Sequence, residues 1–330
     1  MGESRIPTVS DLGELELLAR IRARMREPTP NETWAGDDTA ILGWSDDKIL
    51  LTTDMIVEGI DFDLSYASGE DVGWKALAIN ASDIASMGGR PAHAVAAVGL
   101  RPETSVAFVD DFVDGLLAAC DAYGVALVGG DVSAASEITA TVAMVGAAIG
   151  RPLERSGAAA GDAICVTGSL GGAAAGLLAL RRRMGDDVPA VARLKRRHLR
   201  PPARVAEAAA LVSLAPTAMI DVSDGLAVDL GNLIQASDVG CEVDAGAVPI
   251  DPDIRALGDV DPLEIAVLGG EDFELLFTID PRRTEDAAAA LRATGTPVVR
   301  IGTVVESGGR LGDRSLEDWR SRGWQHLRSR

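Results

Sequence analysis

Asp83 is a carboxylate set inside an apolar helix. It lies in Trp74-Lys75-Ala76-Leu77-Ala78-Ile79-Asn80-Ala81-Ser82-Asp83-Ile84-Ala85-Ser86-Met87-Gly88-Gly89, where most neighbours are small or apolar. A carboxylate buried without a partner is costly, and a cation is its simplest companion. Other acids able to share that cation recur in one setting, near a strand end and beside glycine or a small hydroxyl residue. Asp37-Asp38 follows Gly36, Asp54 follows Thr52-Thr53, and Asp131 follows Gly129-Gly130. Asp221 and Asp224 bracket Ser223 ahead of Gly225, and Glu271-Asp272 follows Gly269-Gly270. Taken singly, each reads as a turn residue, because Gly-Asp and Asp-Gly are turn chemistry. Taken with Asp83, they form a set of oxygen donors. Clustered carboxylates raise one another's pKa unless cations sit between them. With no His or Cys in the set, the cation to expect is hard Mg²⁺.

Magnesium usually bridges a few carboxylates to substrate phosphates, so these residues point to nucleotide phosphate chemistry. The chain contains no G-x-x-x-x-G-K-[ST] and no kinase-like H-R-D followed by D-F-G. Gly168-Ser169-Leu170-Gly171-Gly172, at a helix start, could hold an anion or could serve close packing of strand on helix.

The elements that must position these acids follow from periodicity. Leu12, Leu15, Leu18 and Ile21 predict a helix over 10–26 capped by Ser10. A strand over 48–54 ends on Thr52, Thr53 and Asp54. Ser68, with Asp71 at the third helical position, caps the helix that carries Asp83, and Gly88-Gly89 stops it. On that helix Leu77, Ala81, Ile84 and Ala85 share one face, and Asn80 and Asp83 lie on the other, which should look into a site. A strand over 93–100, a helix over 106–123, a short strand over 125–128 and a long strand over 138–149 complete an α/β domain, residues 1–150. Residues 152–161 read as a linker, and a second α/β domain occupies 151–330. It holds strands over 162–167, 218–220, 274–279 and 298–305, and helices over 173–183, 203–211, 226–236 and 284–293. The basic stretch 193–200 reads as a solvated helix face, with a phosphate-facing role open to Arg200 and Arg204.

Composition narrows the partners. The net charge of -19 repels phosphate backbones, so nucleic acid is not an expected partner. No apolar run is long enough to span a membrane, and the first residues lack a basic segment followed by an apolar one. Cys120, Cys165 and Cys241 lie far apart in apolar surroundings and read as buried free thiols. These features predict a cytoplasmic protein.

Seven segments, in order, resemble the thiamine-monophosphate kinase family. They are Gly36-Asp37-Asp38, Thr52-Thr53-Asp54, Val57-Glu58-Gly59, the helix segment from Ala78 to Gly88, Gly129-Gly130-Asp131, Asp221-Val222-Ser223-Asp224-Gly225-Leu226 and Gly269-Gly270-Glu271-Asp272-Phe273-Glu274-Leu275. The resemblance implies a two-domain α/β (α+β) fold like that of aminoimidazole ribonucleotide synthetase, and a homodimer joined through the N-terminal sheets. It implies transfer of phosphate from ATP, the co-substrate, to thiamine monophosphate, giving thiamine diphosphate, with several Mg²⁺ ions. By the same resemblance, Asp38, Thr52, Thr53, Asp54, Asp83, Asp131, Asp221 and Asp224 form the metal shell. Gly130, Asp131, Arg155 and Ser223 contact ATP, and Glu271 contacts the substrate. Trp324 matches an aromatic position that lies against the substrate's rings; a Trp there also reads as a core residue tying down the C-terminus. One position departs from the family pattern. Glu58-Gly59-Ile60-Asp61-Phe62 places Asp61 where the family often has His. A carboxylate cannot donate to a phosphate as imidazolium can, so Asp61 is open to metal or to a cationic substrate.

A phosphate oxygen is already anionic near neutral pH, so in-line attack needs positioning and charge neutralisation rather than a strong base. No proton-transfer residue is therefore assigned. The competing readings are another ATP-using enzyme of this fold, such as aminoimidazole ribonucleotide synthetase, and a non-catalytic Mg²⁺ or nucleotide-binding protein. No cysteine precedes Cys120 and none lies in the tail, unlike what selenophosphate synthetases and hydrogenase-maturation relatives require.

Overall fold

A computed structural model describes residues 40–44 and 47–323. Asp38, Trp324 and the helix expected over 10–26 lie outside the described residues. The first half runs β1 (Ala40–Trp44), β2 (Asp47–Val57), α1 (Gly69–Ser86), β3 (Gly89–Leu100), α2 (Val106–Tyr123), β4 (Ala126–Ala134) and β5 (Thr139–Ala148). Its strands form one sheet in the order β1-β2-β5-β3-β4. All neighbours are antiparallel except β3 and β4, which are parallel and joined through α2.

The second half runs β6 (Ala163–Thr167), α3 (Gly172–Arg181), α4 (Pro189–Leu199), α5 (Val205–Val212), β7 (Ala218–Asp221), α6 (Leu226–Ala236) and β8 (Gly240–Val243). It continues through α7 (Pro262–Leu268), β9 (Leu275–Ile279), α8 (Thr284–Leu291), β10 (Val298–Val305), β11 (Gly309–Leu311), β12 (Arg314–Ser315) and α9 (Leu316–Arg320). The sheet order is β12-β11-β8-β10-β6-β9-β7. The chain is thus a two-domain α/β fold.

Helix α1 is placed by local chemistry. Ser68 Oγ accepts from the Asp71 amide, and the Asp71 carboxylate accepts from the Ser68 amide, which closes the expected capping box. The helix ends at Met87, and Gly88 turns the chain with φ of 67°. Two glycines let α2 lie directly on α1: a Cβ at Gly73 would come within 2.0 Å of Phe112 O, and one at Gly115 within 1.9 Å of Glu70 O. The expected half-open helix is instead enclosed. Its sides meet the first sheet, α2, and α5 and β7 of the second domain. Ala85 belongs to a core cluster with Leu211, Met219, Leu275 and Phe277, all from the second half. Between Lys75 and Gly89, Asp83 is the one residue that is not buried.

Two expectations about β4 and α3 change. The strand expected over 125–128 does not stop at Gly129-Gly130-Asp131 but runs through them to Ala134. A Cβ at Gly130 would come within 2.1 Å of Ala96 O, so glycine here serves close pairing with β3 rather than a turn. At the start of α3, the Gly-rich segment is already occupied. The Asp272 carboxylate accepts from Gly171 N at 2.5 Å and from Ala173 N at 3.0 Å, taking the amides an external anion would need. The basic stretch does form helix α4, but Arg200 and Arg204 are committed to carboxylates. Arg200 pairs with Asp71 at 2.7 Å and Glu70 at 3.0 Å, and Arg204 pairs with Glu274 at 2.5 Å.

All three cysteines are free and buried. Burial pushes the Cys165 thiol up to about 12 and Cys241 to about 11, which leaves them inert packing groups. Among the described residues, no helix is long and apolar enough to cross a membrane.

Candidate functional site

The centre of the site is the inward face of β2 against α1. Residues alternate along β2, so Thr52 and Asp54 face the helix while Thr53 and Met55 face away. Thr52 Oγ1 donates to Asp83 Oδ2 at 2.5 Å, and Asp54 N donates to Asn80 Oδ1 at 3.1 Å. The Asn80 amide in turn donates to Ala76 O at 3.0 Å, which fixes its orientation. The Asp54 and Asp83 carboxylates themselves meet across a hydrogen bond, with the charge of Asp61 nearby. Burial raises the Asp54 pKa; the Asp83 hydrogen bond opposes that rise, and Asp61 adds to it.

The second domain closes on the same helix. Ser82, the residue before Asp83, donates from Oγ to Asp221 Oδ2 at the end of β7. Asp221 is 1% exposed, so this contact lies in the seam between the domains. After β7 the chain turns through Ser223 and Asp224. Both the Asp224 and Gly225 amides donate to Asp229 Oδ2 at 3.0 Å, so Asp229 on α6 shapes this turn. Ser223 O accepts from Glu271 N at 2.7 Å, which ties the turn to the loop over 269–273. That loop holds two non-glycine residues at positive φ, Glu271 at 67° and Phe273 at 49°. Such backbone persists only where surroundings over-determine it, and it clusters at ligand-binding sites.

A cavity of about 240 Å³ opens where these loops meet, lined in part by Asp61, Tyr66, His198, Ser223, Asp224 and Glu271. Asp61 Oδ2 accepts from Val57 N at 2.8 Å, which folds its loop back on the end of β2. Glu271 is gripped by an ion pair with Lys75 and by His198 Nδ1 at 2.9 Å. Burial alone would raise its pKa, but the Lys75 charge and the His198 hydrogen bond outweigh that and leave it at about 2. Burial lowers the His198 pKa, opposed by the Glu271 carboxylate beside it.

The structure therefore brings together Thr52, Asp54 and Asp83, sets Asp221 against Ser82 beside them, and places Asp61, Ser223, Asp224 and Glu271 on the adjoining cavity. It does not bring Thr53, Asp131 or Arg155 into that group. Thr53 Oγ1 donates to Val142 O at 3.0 Å on the outward side of the sheet. Asp131 aligns with Ala97, Thr141 and Met55, an outward row, whereas Asp54 aligns with Val142, Ala96 and Gly130. Asp131 is thus three strand spacings from β2, about 14 Å, and on the opposite face. Arg155 lies in the segment between the sheets, where its carbonyl accepts from Ser237 Oγ at 3.2 Å.

Lys75, His198, Ser82 and Asp229 were not singled out from the sequence. Lys75 carried a signal: an ammonium in an apolar helix needs a partner as much as Asp83 does. The donor set around Asp83 is carboxylate and hydroxyl oxygen, which fits Mg²⁺ and offers nothing to a soft metal. Among the described residues, no group of three His, Cys, Asp or Glu side chains forms a ready-made cage. Magnesium seldom takes one, since it keeps water and phosphate oxygens in its shell.

Comparison with known proteins agrees with this architecture. Residues 36–148 match the model for AIR synthase related protein, N-terminal domain, and residues 159–313 match the one for AIR synthase related protein, C-terminal domain. The chain is similar to the thiamine-monophosphate kinase of Aquifex aeolicus, at 34% identity over 322 residues, covering 97% of this chain and 99% of that one. It is similar to the enzyme of that name from Salmonella typhimurium at 39% identity over 295 residues, covering 88% of this chain and 90% of that one. Among solved structures, it resembles AaThiL complexed with AMPPCP and TMP, with a TM-score of 0.88 and 33% identity, covering 98% of this chain and 100% of that one.

Proposed function

Because the chain belongs to the thiamine-monophosphate kinase family of AIR synthase related proteins, we propose that it makes thiamine diphosphate from thiamine monophosphate and ATP. This is the last step in thiamine diphosphate biosynthesis. The observation that supports the reading most directly is helix α1, where Asp83 faces Thr52 and Asp54 of the first domain while the preceding residue, Ser82, bonds Asp221 of the second, next to the cavity that holds Glu271. Residues 1–150 supply the nucleotide and metal half, and residues 151–330 complete the site. The protein works in the cytoplasm.

Thr52, Asp54, Asp83, Asp221 and Asp224 would hold several Mg²⁺ ions, whose charge would neutralise the transferring phosphoryl group. The chain's own work is positioning. Asn80 holds the Asp54 backbone amide, Thr52 fixes the Asp83 carboxylate, and Ser82 fixes Asp221. The acceptor lies in the cavity with its cationic thiazolium near Asp61 and Glu271 and its phosphate towards Asp224. Its phosphate oxygen attacks the γ-phosphorus in line, the bond from that phosphorus to the β,γ-bridging oxygen breaks and ADP leaves, with no side-chain base. Gly130, Asp131, Arg155 and Ser223 contact ATP, and Asp38 and Trp324 complete the metal shell and the substrate wall. Asp131 lies apart from the Asp54–Asp83 pair, so its role requires nucleotide or metal to extend across the sheet.

The protein acts as a homodimer joined through the first sheet. Leu51, Met55, Val95 and Val145 stand 40%, 60%, 42% and 36% exposed on its outward face, a row of apolar groups that a second copy would cover. Light scattering reporting a monomer at micromolar concentration would remove this part.

The activity is tested by incubating the protein with thiamine monophosphate and MgATP and separating products by chromatography. Thiamine diphosphate should accumulate with turnover, and free thiamine should not be phosphorylated at a comparable rate. Binding without turnover would make the chain a nucleotide-binding protein instead.

A further inference from the structure

We infer that Lys75 and His198 are positioning residues of the acceptor pocket, which together fix the Glu271 carboxylate on the cavity wall against the acceptor's cationic ring. The inference rests on the reading that this cavity takes thiamine monophosphate.

Lys75 is 3% exposed in the middle of α1. Burying an ammonium is expensive unless it is paired and hydrogen-bonded, so such a residue is retained for a specific contact. Lys75 has two: Nζ donates to Asp61 O at 2.9 Å and pairs with Glu271 Oε1. One side chain of the first domain thus holds two walls of the cavity, the Asp61 loop from its own domain and the Glu271 loop from the other. His198 comes from α4 and is also 3% exposed. Its Nδ1 lies 2.9 Å from Glu271 Oε2, and its ring leans on Tyr66 with centroids 6.3 Å apart.

Each oxygen of Glu271 thus faces a nitrogen from a different domain: Oε1 is paired with Lys75, and Oε2 lies 2.9 Å from the otherwise unpartnered His198 Nδ1. Its main chain is fixed as well, at a φ of 67° with its amide on Ser223 O. About 30% of the Glu271 side chain is exposed, and Glu271 lines the cavity together with Asp61, Tyr66, His198 and Arg181. The same Lys75–Glu271 pair depends on the domain seam being closed. Acceptor binding and seam geometry are thereby linked through α1, the helix that also carries Asp83.

The test uses Lys75→Met, which keeps length without charge, His198→Leu, which removes the donor, and His198→Asn, which keeps a donor near Nδ1. Steady-state kinetics should show the acceptor KM rising about tenfold or more in Lys75→Met and His198→Leu, while the MgATP KM stays within about twofold. His198→Asn should recover most of the lost acceptor affinity. Folded variants with an unchanged acceptor KM overturn the inference, as does an equal rise in both KM values, which would mean general loosening. If Lys75→Met does not fold, the His198 pair decides: equal acceptor KM values for Leu and Asn overturn the inference. A wild type that binds thiamine monophosphate by calorimetry without turnover overturns the proposed activity alone. The same calorimetry on the variants then decides this inference, a tenfold loss of affinity supporting it and unchanged affinity overturning it.

Discussion

Asp54 and Glu271 are both half-buried acids at one site, and their environments push them in opposite directions. Asp54 faces Asp83 and Asp61, and burial raises its pKa. Glu271 faces Lys75 and His198; their charge and hydrogen bonds overcome burial and hold it at about 2. The first group is a set of carboxylates met by one another and by hydroxyl and amide groups, an oxygen-rich surface suited to Mg²⁺. The second carries its cation in the fold. On the proposed function, the difference separates two tasks: binding a phosphate-bound metal that comes and goes with nucleotide, and holding a fixed wall for an organic acceptor.

The comparison breaks most visibly at the metal half. Chelation with EDTA should reduce turnover by about 1,000-fold, with recovery on adding excess Mg²⁺; turnover that survives chelation would show that the Asp54–Asp83 group needs no external cation. Asp83→Asn should lower kcat/KM by about 100-fold with unchanged circular dichroism. Glu271→Gln should act on the other half, raising acceptor KM about tenfold to 100-fold and leaving the MgATP KM within about twofold. Asp131→Asn should cut turnover by at least about tenfold. Unchanged turnover at saturating Mg²⁺ would confine the metal half to the inward face of the sheet.

Stability offers a smaller but sharper contrast. The folded Glu271 pKa lies below its ordinary 4.5, so its stabilising contribution is complete above 4.5 and is lost as pH falls toward about 2. Asp54 has the opposite sign: its folded pKa lies above 3.8, so ionising it costs stability as pH rises from 3.8 through that raised value. At neutral pH without metal, Asp54→Asn should raise the thermal midpoint by about 1–3 °C and Glu271→Gln should lower it by a similar amount. Shifts of the same sign in calorimetric scans would remove the distinction between the two acids.

Local chemistry carried much of this into the sequence. The bounds of α2, α6 and β10 coincide with the spans that periodicity predicts, and the Ser68–Asp71 cap closes as the residue types require. Asp83 was legible because one carboxylate in an apolar helix demands an explanation. What was not legible depends on contacts between distant segments. Gly129-Gly130 reads as a turn until Ala96 O is seen pressing on it, and the Gly-rich start of α3 reads either as an anion site or as close packing until Asp272 is seen filling it. Lys75, His198 and Glu271 lie on three separate segments, and no spacing rule connects them. The acids of the Asp-Gly motifs looked equivalent in sequence; the sheet sorts them by face, Asp54 inward and Asp131 outward.

The central claim is that the carboxylates around Asp83 serve metal and phosphate while the Glu271 wall serves the acceptor. Calorimetric titration of wild type, Asp83→Asn and Glu271→Gln with Mg²⁺ and a non-hydrolysable ATP analogue, and separately with thiamine monophosphate, tests it directly. Asp83→Asn should lose Mg²⁺-dependent nucleotide affinity by about tenfold or more and keep acceptor affinity, and Glu271→Gln should do the reverse. An Asp83→Asn protein that binds Mg²⁺ and nucleotide as wild type does would contradict the account.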